Sequence, residues 1–419
     1  MINSQNRLIL IVFVALAYLS PALRYSREKE TLAGRKFVET SSTNRFDVVP
    51  DFKTEIITAD PSVPSVHVAS LCEMPDGKLC ATWYGGSHEG ARDVCIYGST
   101  RGPAEGKSWS IPQALVSRAS AAQELQRPIK KIGNAMVFAD PVGKLRLIYV
   151  TVSIGGWSTS SLNLKTSRDG GRTWLPSRRL ILSPFFNLSE LVKNKACALS
   201  DGSWAVPIYH ECLAKVPEIL WINESPAGEL AWSKTRLFGG RSALQPALVP
   251  LDSQNAIALC RDCSSMKKIQ LTRSTDAGLN WSHPQPIALP NPDSGLDALR
   301  LSDGRILLAF NDSSTGRDKL RLALSADAGM TWSRCATLEA ERGAEFSYPY
   351  LIQGRNGRIH LVYTWKRKSI KHAAFNVEWL NVQPKETLTP LGGPPPGALS
   401  AALDPEFKGE RLADRDHSL

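Results

Sequence analysis

Charged and polar side chains cluster at the ends of several apolar segments in this chain of 419 residues. His88 and Glu89 lie in WYGGSHEGARD, Glu211 ends the segment YHE, and Arg317 lies in NDSSTGRD. Carboxylates at such positions can transfer protons, and arginines bind a planar carboxylate through paired hydrogen bonds. Tyr348 supplies a hydroxyl that can act as a nucleophile when a neighbouring carboxylate assists it. The sequence therefore contains the side chains needed for acid–base chemistry on an anionic molecule.

The stretch TSRDGGRTW (166–174) is also dense in reactive groups, but its pattern is repeated. RSTDAGLNW (273–281) and LSADAGMTW (324–332) place Ser, Asp, Gly and Trp at the same spacing. A catalytic site is seldom present three times in one chain, so the repetition favours a structural turn, which we call an Asp box. In this turn the Asp carboxylate accepts backbone N–H groups, the Gly adopts a positive φ and the Trp covers apolar surface.

Pairs of short apolar segments surround turns that are typical of β-hairpins. These turns lie near Gly77, Gly143, Gly202, Ser253, Gly304 and Gly357. The units repeat about every 50 to 65 residues, and each has room for four antiparallel strands. Helical periodicity is not evident, which disfavours α/β architectures. The sequence therefore predicts an all-β fold, a six-bladed β-propeller with Asp-box hairpins.

The domain boundaries follow from changes in composition. We predict that the propeller spans residues 51–380 and that residues 51–65 supply an outer strand that closes the ring with the last unit. Residues 1–23 contain the apolar run LILIVFVALAYLSPAL, which predicts a signal peptide or signal anchor and hence an exported or membrane-tethered protein. Residues 24–50 are predicted to be a linker. Residues 381–419 are rich in Pro and Gly and predict a disordered tail.

The composition also limits the classes of binding partner that the protein would have. The net charge of +10 suits an acidic partner such as an anionic sugar, although dispersed basic residues are equally consistent with a solvated surface. No signature of a nucleic-acid-binding module is present. The eight cysteines are compatible with disulfides, and the single C-x-x-C of Cys260 and Cys263 is weak evidence for a zinc or redox site. We predict no metal and no cofactor.

The predicted fold brings the polar clusters together. In a propeller the inner strands converge on the axis, so residues at the start of each inner strand and after each second strand share one opening, which we call the mouth. The candidates at the mouth are His67, His88, Glu89, Asp93, Glu211, Gln245, Arg261, Asp297, Arg317, Tyr348 and Trp365. The mouth is therefore the predicted site.

Six units, three of which carry a box of the S-x-D-x-G-x-T-W type, resemble the sialidase (neuraminidase) superfamily, and within it the predicted neuraminidase or BNR-repeat branch. The resemblance implies three arginines that clamp a substrate carboxylate, a Tyr nucleophile activated by a Glu, and an Asp acid/base on a loop of the first blade. It makes Tyr348 the nucleophile and makes Arg261 and Arg317 two of the clamp arginines. Glu89 and Asp93 are the candidates for the acid/base.

The chain departs from this family's pattern at two positions. HVASL stands where the family has Arg-Ile-Pro-x-Leu, so His67 occupies the position of the first clamp arginine. Gln245 occupies the position of the activating Glu, and Glu211 from the preceding blade is the alternative base. His88, Asp297 and Trp365 are assigned to substrate binding from their predicted places alone.

Three hypotheses follow for the function. The first is a sialidase-like exo-glycosidase that acts on a sialic-acid-like or other carboxylated sugar. The second is a polysaccharide lyase that acts on uronates, in which His67 beside Tyr348 would replace the missing arginine. The third is a non-catalytic carbohydrate-binding propeller of the cell envelope. A lyase leaves an unsaturated product that absorbs in the near ultraviolet, a hydrolase releases a reducing sugar, and a binding protein does neither.

Overall fold

The computed structural model describes residues 12, 32, 34–38, 49–57, 62–103, 107–183, 187–225, 227–238 and 242–388. Apart from Val12, the predicted signal segment (1–23) lies outside the described residues, as does the predicted tail after Leu388. Within the described residues, no helix is long and apolar enough to cross a bilayer. All eight cysteines are free thiols.

The strands form six antiparallel sheets, the six blades that the sequence predicted. Strand β1 (Phe52–Ile56) precedes the first blade in the sequence but belongs to the sheet of the sixth blade. Blade 1 contains β2 (Ser65–Glu73), β3 (Leu79–Gly86), β4 (Cys95–Arg101) and β5 (Gln113–Ser117). Blade 2 contains β6 (Lys131–Ala139), β7 (Leu145–Val152), β8 (Ser160–Ser167) and β9 (Arg178–Arg179). Blade 3 contains β10 (Leu191–Val192), β11 (Cys197–Ala198), β12 (Trp204–His210), β13 (Val216–Glu224) and β14 (Leu230–Arg236).

The remaining three blades follow the same plan. Blade 4 contains β15 (Ala243–Pro250), β16 (Ala256–Asp262), β17 (Lys268–Ser274) and β18 (Gln285–Pro290). Blade 5 contains β19 (Asp297–Arg300), β20 (Ile306–Asn311), β21 (Lys319–Ser325) and β22 (Ser333–Ala340). Blade 6 contains β23 (Phe346–Gln353), β24 (Ile359–Trp365) and β25 (Ser369–Phe375). Helices α1 (Arg118–Leu125) and α2 (Val377–Val382) lie after blades 1 and 6.

The N-terminal strand closes the ring. Strand β1 pairs antiparallel with β25 and forms the outer strand of blade 6, which confirms the role predicted for this segment. Apolar side chains of neighbouring blades pack against each other, as in the cluster that joins Val66, Trp83 and Tyr350. The apolar core therefore lies between the blades.

Both flanking segments pack on the propeller beyond the boundaries predicted for it. Phe37 is buried, pairs with Leu199 and donates its backbone N–H to the carbonyl of Ser253 at 2.8 Å. After α2, β26 (Glu386–Thr387) pairs with β22. Part of the predicted linker and the first residues of the predicted tail are thus ordered parts of the domain.

The Asp boxes lie at the end of the propeller opposite to the mouth. Ser325 in blade 5 donates its hydroxyl to Asp327 at 2.8 Å and accepts the backbone N–H of Gly329 at 2.8 Å. Asp327 also accepts the backbone N–H of Thr331 at 2.8 Å. The same bonds recur in the boxes of blades 2 and 4. The boxes therefore stabilise their own turns, as the repetition predicted.

Four inner strands carry a β-bulge close to the mouth. The register shifts in β2, β6, β15 and β23, and each shift contains one residue with positive φ. These residues are Val68, Asn134, Gln245 and Tyr348, with φ between 24° and 53°. A bulge rotates the strand locally and redirects a side chain. In β6, β15 and β23 the residue at the bulge is polar and lies at the mouth: Asn134, Gln245 and Tyr348.

Candidate active site

The structure brings together the four side chains on which the predicted site depends. Tyr348, at the bulge of β23, is half-buried, and its hydroxyl lies 3.5 Å from Nη1 of Arg261. The Cζ atom of Arg317 lies 5.4 Å from the centre of the Tyr348 ring. The His67 ring meets the same ring edge to face, with 4.7 Å between the ring centres. A Cβ atom at Gly295 would lie 2.9 Å from Tyr348 Cδ1, so the chain fits closely around this side chain.

Arg261 is held by a carboxylate that the sequence reasoning missed. Its Nε donates to Asp293 Oδ1 at 2.7 Å, and the thiol of Cys263 donates to the same oxygen at 2.8 Å. Burial would raise the pKa of Asp293, but the Arg261 guanidinium and the Cys263 hydrogen bond lower it below its ordinary value. Asp293 therefore carries a negative charge that orients Arg261.

A chain of hydrogen bonds joins three blades beneath Arg261. The Tyr209 hydroxyl accepts Nδ2 of Asn134 at 3.0 Å and Nε2 of Gln245 at 3.2 Å. Because the Gln245 amide nitrogen points at Tyr209, its oxygen faces Arg261 and accepts Nη1 at 3.3 Å. Gln245 thus binds Arg261 through its amide oxygen. Because an amide is not a base, Gln245 does not replace the activating Glu that the family resemblance implied at this position.

Glu345 is the second carboxylate that the sequence reasoning missed. It accepts Arg367 Nε at 2.8 Å, Arg317 Nη1 at 3.3 Å and the Ser347 hydroxyl at 2.6 Å. Burial opposes its charge, but the Arg367 and Ser347 hydrogen bonds outweigh it and lower the pKa of Glu345 to about 2. Glu345 and Asp293 lie in loops that lead into an inner strand. Loops of this kind border the mouth. The position of Asp293 and Glu345 just before an inner strand is therefore the feature of the sequence that could have indicated them.

His67 is buried behind the mouth. Only 1% of its surface is exposed, and its Nδ1 lies 3.0 Å from the Thr364 hydroxyl. Burial, helped by the nearby charge of Arg367, lowers the pKa of His67 to about 3. The imidazole is therefore neutral near pH 7 and supplies no positive charge at the position where the family resemblance implied an arginine.

The first-blade loop contributes Glu89 and Asp93 in different ways. Glu89 accepts Arg367 Nη1 at 2.9 Å and so joins the cluster around Glu345. Asp93 is exposed and accepts the backbone N–H and the hydroxyl of Ser87, at 2.8 and 3.0 Å. His88 is exposed beside the same serine, with 3.2 Å between Nδ1 and the Ser87 hydroxyl.

Glu211 follows β12 on the opposite side of the mouth. Its backbone N–H donates to the Ser189 hydroxyl at 2.7 Å, while its carboxylate interacts electrostatically with Arg261 and Tyr209. Burial raises the pKa of Glu211 above its ordinary value, although Arg261 opposes this. Glu211 is thus a partly buried carboxylate beside Tyr209 and Arg261.

Two predicted substrate contacts lie away from this cluster. Asp297 is fully buried, and its two oxygens each lie 2.7 Å from Lys195 Nζ. It also accepts the backbone N–H of Leu351 at 2.7 Å, so it is an internal ion pair rather than a group at the mouth. Trp365 is half-buried against apolar residues of blades 5 and 6, with Lys366 Nζ 4.6 Å from its ring centre.

Arg367 reaches the cluster from a strained turn. The turn between β24 and β25 is closed by a 3.1 Å hydrogen bond from the Lys368 N–H to the Trp365 carbonyl. Its central residues, Lys366 and Arg367, have φ of 54° and 56°. Positive φ at both positions is the requirement of a type I′ turn, for which Asn-Gly is preferred. Each of these side chains costs on the order of 1 kcal/mol in that conformation.

The six antiparallel blades define a six-bladed β-propeller. Residues 77–361 match the BNR repeat-like domain, and the chain belongs to this family. It is similar to the Hadza microbial sialidase Hz136, at 17% identity and a TM-score of 0.62, over 76% of this chain and 66% of that chain. The chain thus spans about two thirds of that sialidase.

Other solved structures show the same fold. The intramolecular trans-sialidase from Ruminococcus gnavus has 15% identity and a TM-score of 0.63, over 79% of this chain and 99% of that chain. The NanB sialidase from Streptococcus pneumoniae has 12% identity and a TM-score of 0.60, over 77% of this chain and 70% of that chain. No curated protein matches the chain in a sequence comparison. At these identities the likeness establishes the fold.

Proposed function

We propose that this protein is a sialidase-like exo-glycosidase that acts on a sugar carrying a carboxylate. The observation that carries this proposal is the grouping of the Tyr348 hydroxyl with two arginines from other blades at the mouth. Arg261 lies 3.5 Å from the hydroxyl, and Arg317 lies over the ring. Arginines bind carboxylates bidentately, and a carboxylate held beside Tyr348 would bring the anomeric carbon of its sugar to the hydroxyl.

The chemistry would proceed in two steps. The Tyr348 oxygen forms a bond to the anomeric carbon while the glycosidic C–O bond breaks. Glu211 receives the tyrosine proton, and Glu89 or Asp93 donates a proton to the leaving oxygen. Water then attacks the same carbon and gives a proton to the Glu89 or Asp93 carboxylate, the bond to Tyr348 breaks, and the phenol takes back its proton from Glu211. Glu211 interacts with Arg261, the guanidinium that contacts the Tyr348 hydroxyl at 3.5 Å, and this neighbourhood supports its part in the first step.

The lyase hypothesis has less support from the geometry. It depends on His67 as the replacement for a charged clamp residue beside Tyr348. His67 is 1% exposed, and its pKa of about 3 leaves it uncharged in the pH range where enzymes usually work. A uronate at the mouth would therefore meet the arginines and not this imidazole.

The test compares the full chain with its Tyr348→Phe variant on aryl glycosides of sialic acid, related keto-acid sugars and uronates. Released aglycone and near-ultraviolet absorbance are read together. We expect aglycone release by the wild type and at least a ~100-fold loss in Tyr348→Phe, because the nucleophilic oxygen is removed. Tyr84→Phe is the matched control, since Tyr84 is a neighbouring phenol whose ring lies 5.7 Å from His67.

Each result of this test has a defined meaning. Aglycone release that Tyr348→Phe abolishes and Tyr84→Phe retains supports the glycosidase. A near-ultraviolet product would indicate a lyase instead. Saturable sugar binding without turnover on any substrate would favour the binding propeller and would contradict the proposal.

A further inference from the structure

Position 67 holds a histidine where the family resemblance implied an arginine, so this position of the first blade supplies no positive charge to the mouth. Arg261 and Arg317 come from blades 4 and 5, and the side chain of the first blade at this point is the neutral His67. The space beside His67 nevertheless contains a guanidinium. Arg367, from the end of blade 6, is close enough to His67 to lower the imidazole pKa, and its backbone carbonyl accepts the N–H of Val66 at 2.9 Å.

We propose that Arg367 is a carboxylate-binding residue of this site and replaces the cation that the first blade lacks. This inference rests on the proposed function, because it assumes that a carboxylated sugar occupies the mouth. It adds a specificity-determining residue that the family's sequence pattern does not indicate.

The backbone of Arg367 supports this role. Lys and Arg occupy two consecutive positions with positive φ, in a turn where Asn-Gly would fit without strain. Strained backbone persists when surrounding structure enforces it, and it is common at ligand-binding sites. Here the strained turn directs the Arg367 guanidinium inward to Glu345, whereas Lys366 on the same turn pairs with the exposed Glu341 at 2.6 Å.

The contacts of Arg367 show which edge of the guanidinium is available. Glu345 holds Nε at 2.8 Å and fixes the plane of the group. Nη1 binds Glu89 at 2.9 Å, and the Glu89 side chain is 38% exposed. An exposed ion pair contributes little to stability, so a substrate carboxylate can displace Glu89 at small cost. Glu89 therefore marks the position of the carboxylate that Arg367 would bind.

This arrangement also links binding to the proposed acid. When a substrate carboxylate replaces Glu89 on Arg367, the Glu89 side chain is released beside the bound sugar. Arg317 and Arg367 are both bonded to Glu345, at 3.3 and 2.8 Å, so the two guanidinium groups keep a fixed relation to one another. The substrate carboxylate would thus bind between arginines of blades 4, 5 and 6.

The experiment measures the preference of the full chain for an acid over its methyl ester. Sialic acid, glucuronic acid and the methyl ester of each are titrated calorimetrically into wild type, Arg367→Gly, Arg367→Lys and Lys366→Gly. The ester keeps every sugar contact and lacks the negative charge, so the ratio of the two affinities isolates the carboxylate. Lys366→Gly is the matched control because it relieves the other strained position of the same turn.

We expect the acid-to-ester ratio to fall about tenfold or more in Arg367→Gly, to fall less in Arg367→Lys and to stay unchanged in Lys366→Gly. Thermal unfolding should occur at the same or a higher temperature in Lys366→Gly, because glycine accepts positive φ without strain. Arg367→Gly gains the same relief but leaves Glu345 without its Nε partner, so the readout for Arg367 is the acid-to-ester ratio at an unchanged ester affinity. A purely structural arginine would change the affinities for acid and ester together.

Three outcomes would overturn the inference. If Arg367→Gly keeps the wild-type ratio, the carboxylate is bound without Arg367 while the proposed carboxylate site still stands. If both glycine variants lose the ratio, or if Arg367→Gly loses ester affinity and stability together, the turn acts through its shape. If the wild type itself shows no preference for the acid, the proposed function fails, and this inference fails with it.

Discussion

Tyr348 has a backbone conformation that tyrosine seldom adopts. Its φ of 53° lies in the left-handed region, and the β-bulge of β23 holds it there. Lys193 stabilises the neighbouring backbone, because its buried Nζ donates to the carbonyls of Pro349 at 2.6 Å and Leu296 at 2.8 Å. The position of the hydroxyl is thus set by the main chain and by a lysine from another blade. This is the kind of local strain that accompanies functional sites.

The neutral state of His67 gives a prediction about pH. In the unfolded chain His67 gains a proton below about pH 6.5, whereas burial delays this in the folded protein until about pH 3. The unfolded state therefore binds more protons between these values, and His67 lowers the free energy of unfolding as the pH falls through this window. The contribution is at most about 1.4 kcal/mol per pH unit.

A His67→Asn variant tests this prediction, because its amide can replace Nδ1 in the bond to Thr364 while having no proton to gain. We expect the stability of the variant relative to wild type to increase as the pH falls from 6.5 to 3, measured by urea unfolding at several pH values. A relative stability that stays constant over this range would show that His67 accepts a proton freely in the folded state.

Sequence reasoning placed some of the clustered side chains but not those that orient them. Tyr348, Arg261 and Arg317 were predictable because a propeller directs the start of each inner strand and the end of each second strand to one mouth. Asp293 and Glu345 lie in loops without periodic pattern, where the direction of a side chain depends on the backbone angles of its neighbours. Asp297 begins its inner strand, as a residue at the mouth would, but its ion pair with Lys195 holds the carboxylate in the interior of the propeller.

At the scale of the elements, the Asp boxes act as self-contained turns. The buried Ser325 hydroxyl bonds both the Asp327 carboxylate and the N–H of Gly329. Gly329 has a φ of 84°, and a Cβ there would lie 2.9 Å from Leu271 Cδ1, so the turn also requires glycine. Each box stabilises its blade at the end remote from the mouth.

We predict that Ser325→Ala lowers the free energy of unfolding by about 1–3 kcal/mol, because the buried Gly329 N–H loses its acceptor. Sugar binding should remain as in wild type, since the box lies at the opposite end of blade 5 from Arg317. Thermal unfolding and calorimetric titration check the two parts, with the exposed Ser314→Ala as the control. A variant as stable as Ser314→Ala would argue against the structural role of the box.

The strand pattern was largely predictable from the sequence, but one inner strand differs from the others. In blade 3 the inner strand is divided into β10 and β11, and residues 193–196 lie between them. Within that interruption Asn194 donates to the Gln245 carbonyl at 2.9 Å, and Lys193 crosses to blades 5 and 6. The hairpin turns and alternating apolar residues indicate strands, whereas these bonds depend on the bulges of other blades and have no local signal.

At the scale of the whole molecule, residues 34–38 attach the chain to the Asp-box end of blades 3 and 4. Phe37 is 2% exposed and lies against the turns that contain Leu199 and Ser253. Arg35 adds an ion pair with Asp201 at 3.0 Å. The segment thus packs on the propeller at the end opposite to the mouth.

We predict that Phe37→Ala lowers the free energy of unfolding by about 3 kcal/mol, as is usual for a buried aromatic residue, and leaves sugar affinity unchanged. The half-exposed neighbour Val38→Ala is the control and should have a small effect. Urea unfolding and calorimetric titration of the full chain give both quantities. Weakened sugar binding in Phe37→Ala would show that the two ends of the propeller are coupled.

Both ends of the described domain leave from the same side of the ring. Phe37 lies on the Asp-box end, and Leu388 donates its N–H to the carbonyl of Trp332, in the Asp box of blade 5. Attachment of the protein to any surface close to either residue would turn that side toward the surface and the arginines outward. In that orientation the proposed glycosidase would reach sugars that approach from solution or from a facing surface, whereas sugars attached beside the protein's own attachment point would be out of reach.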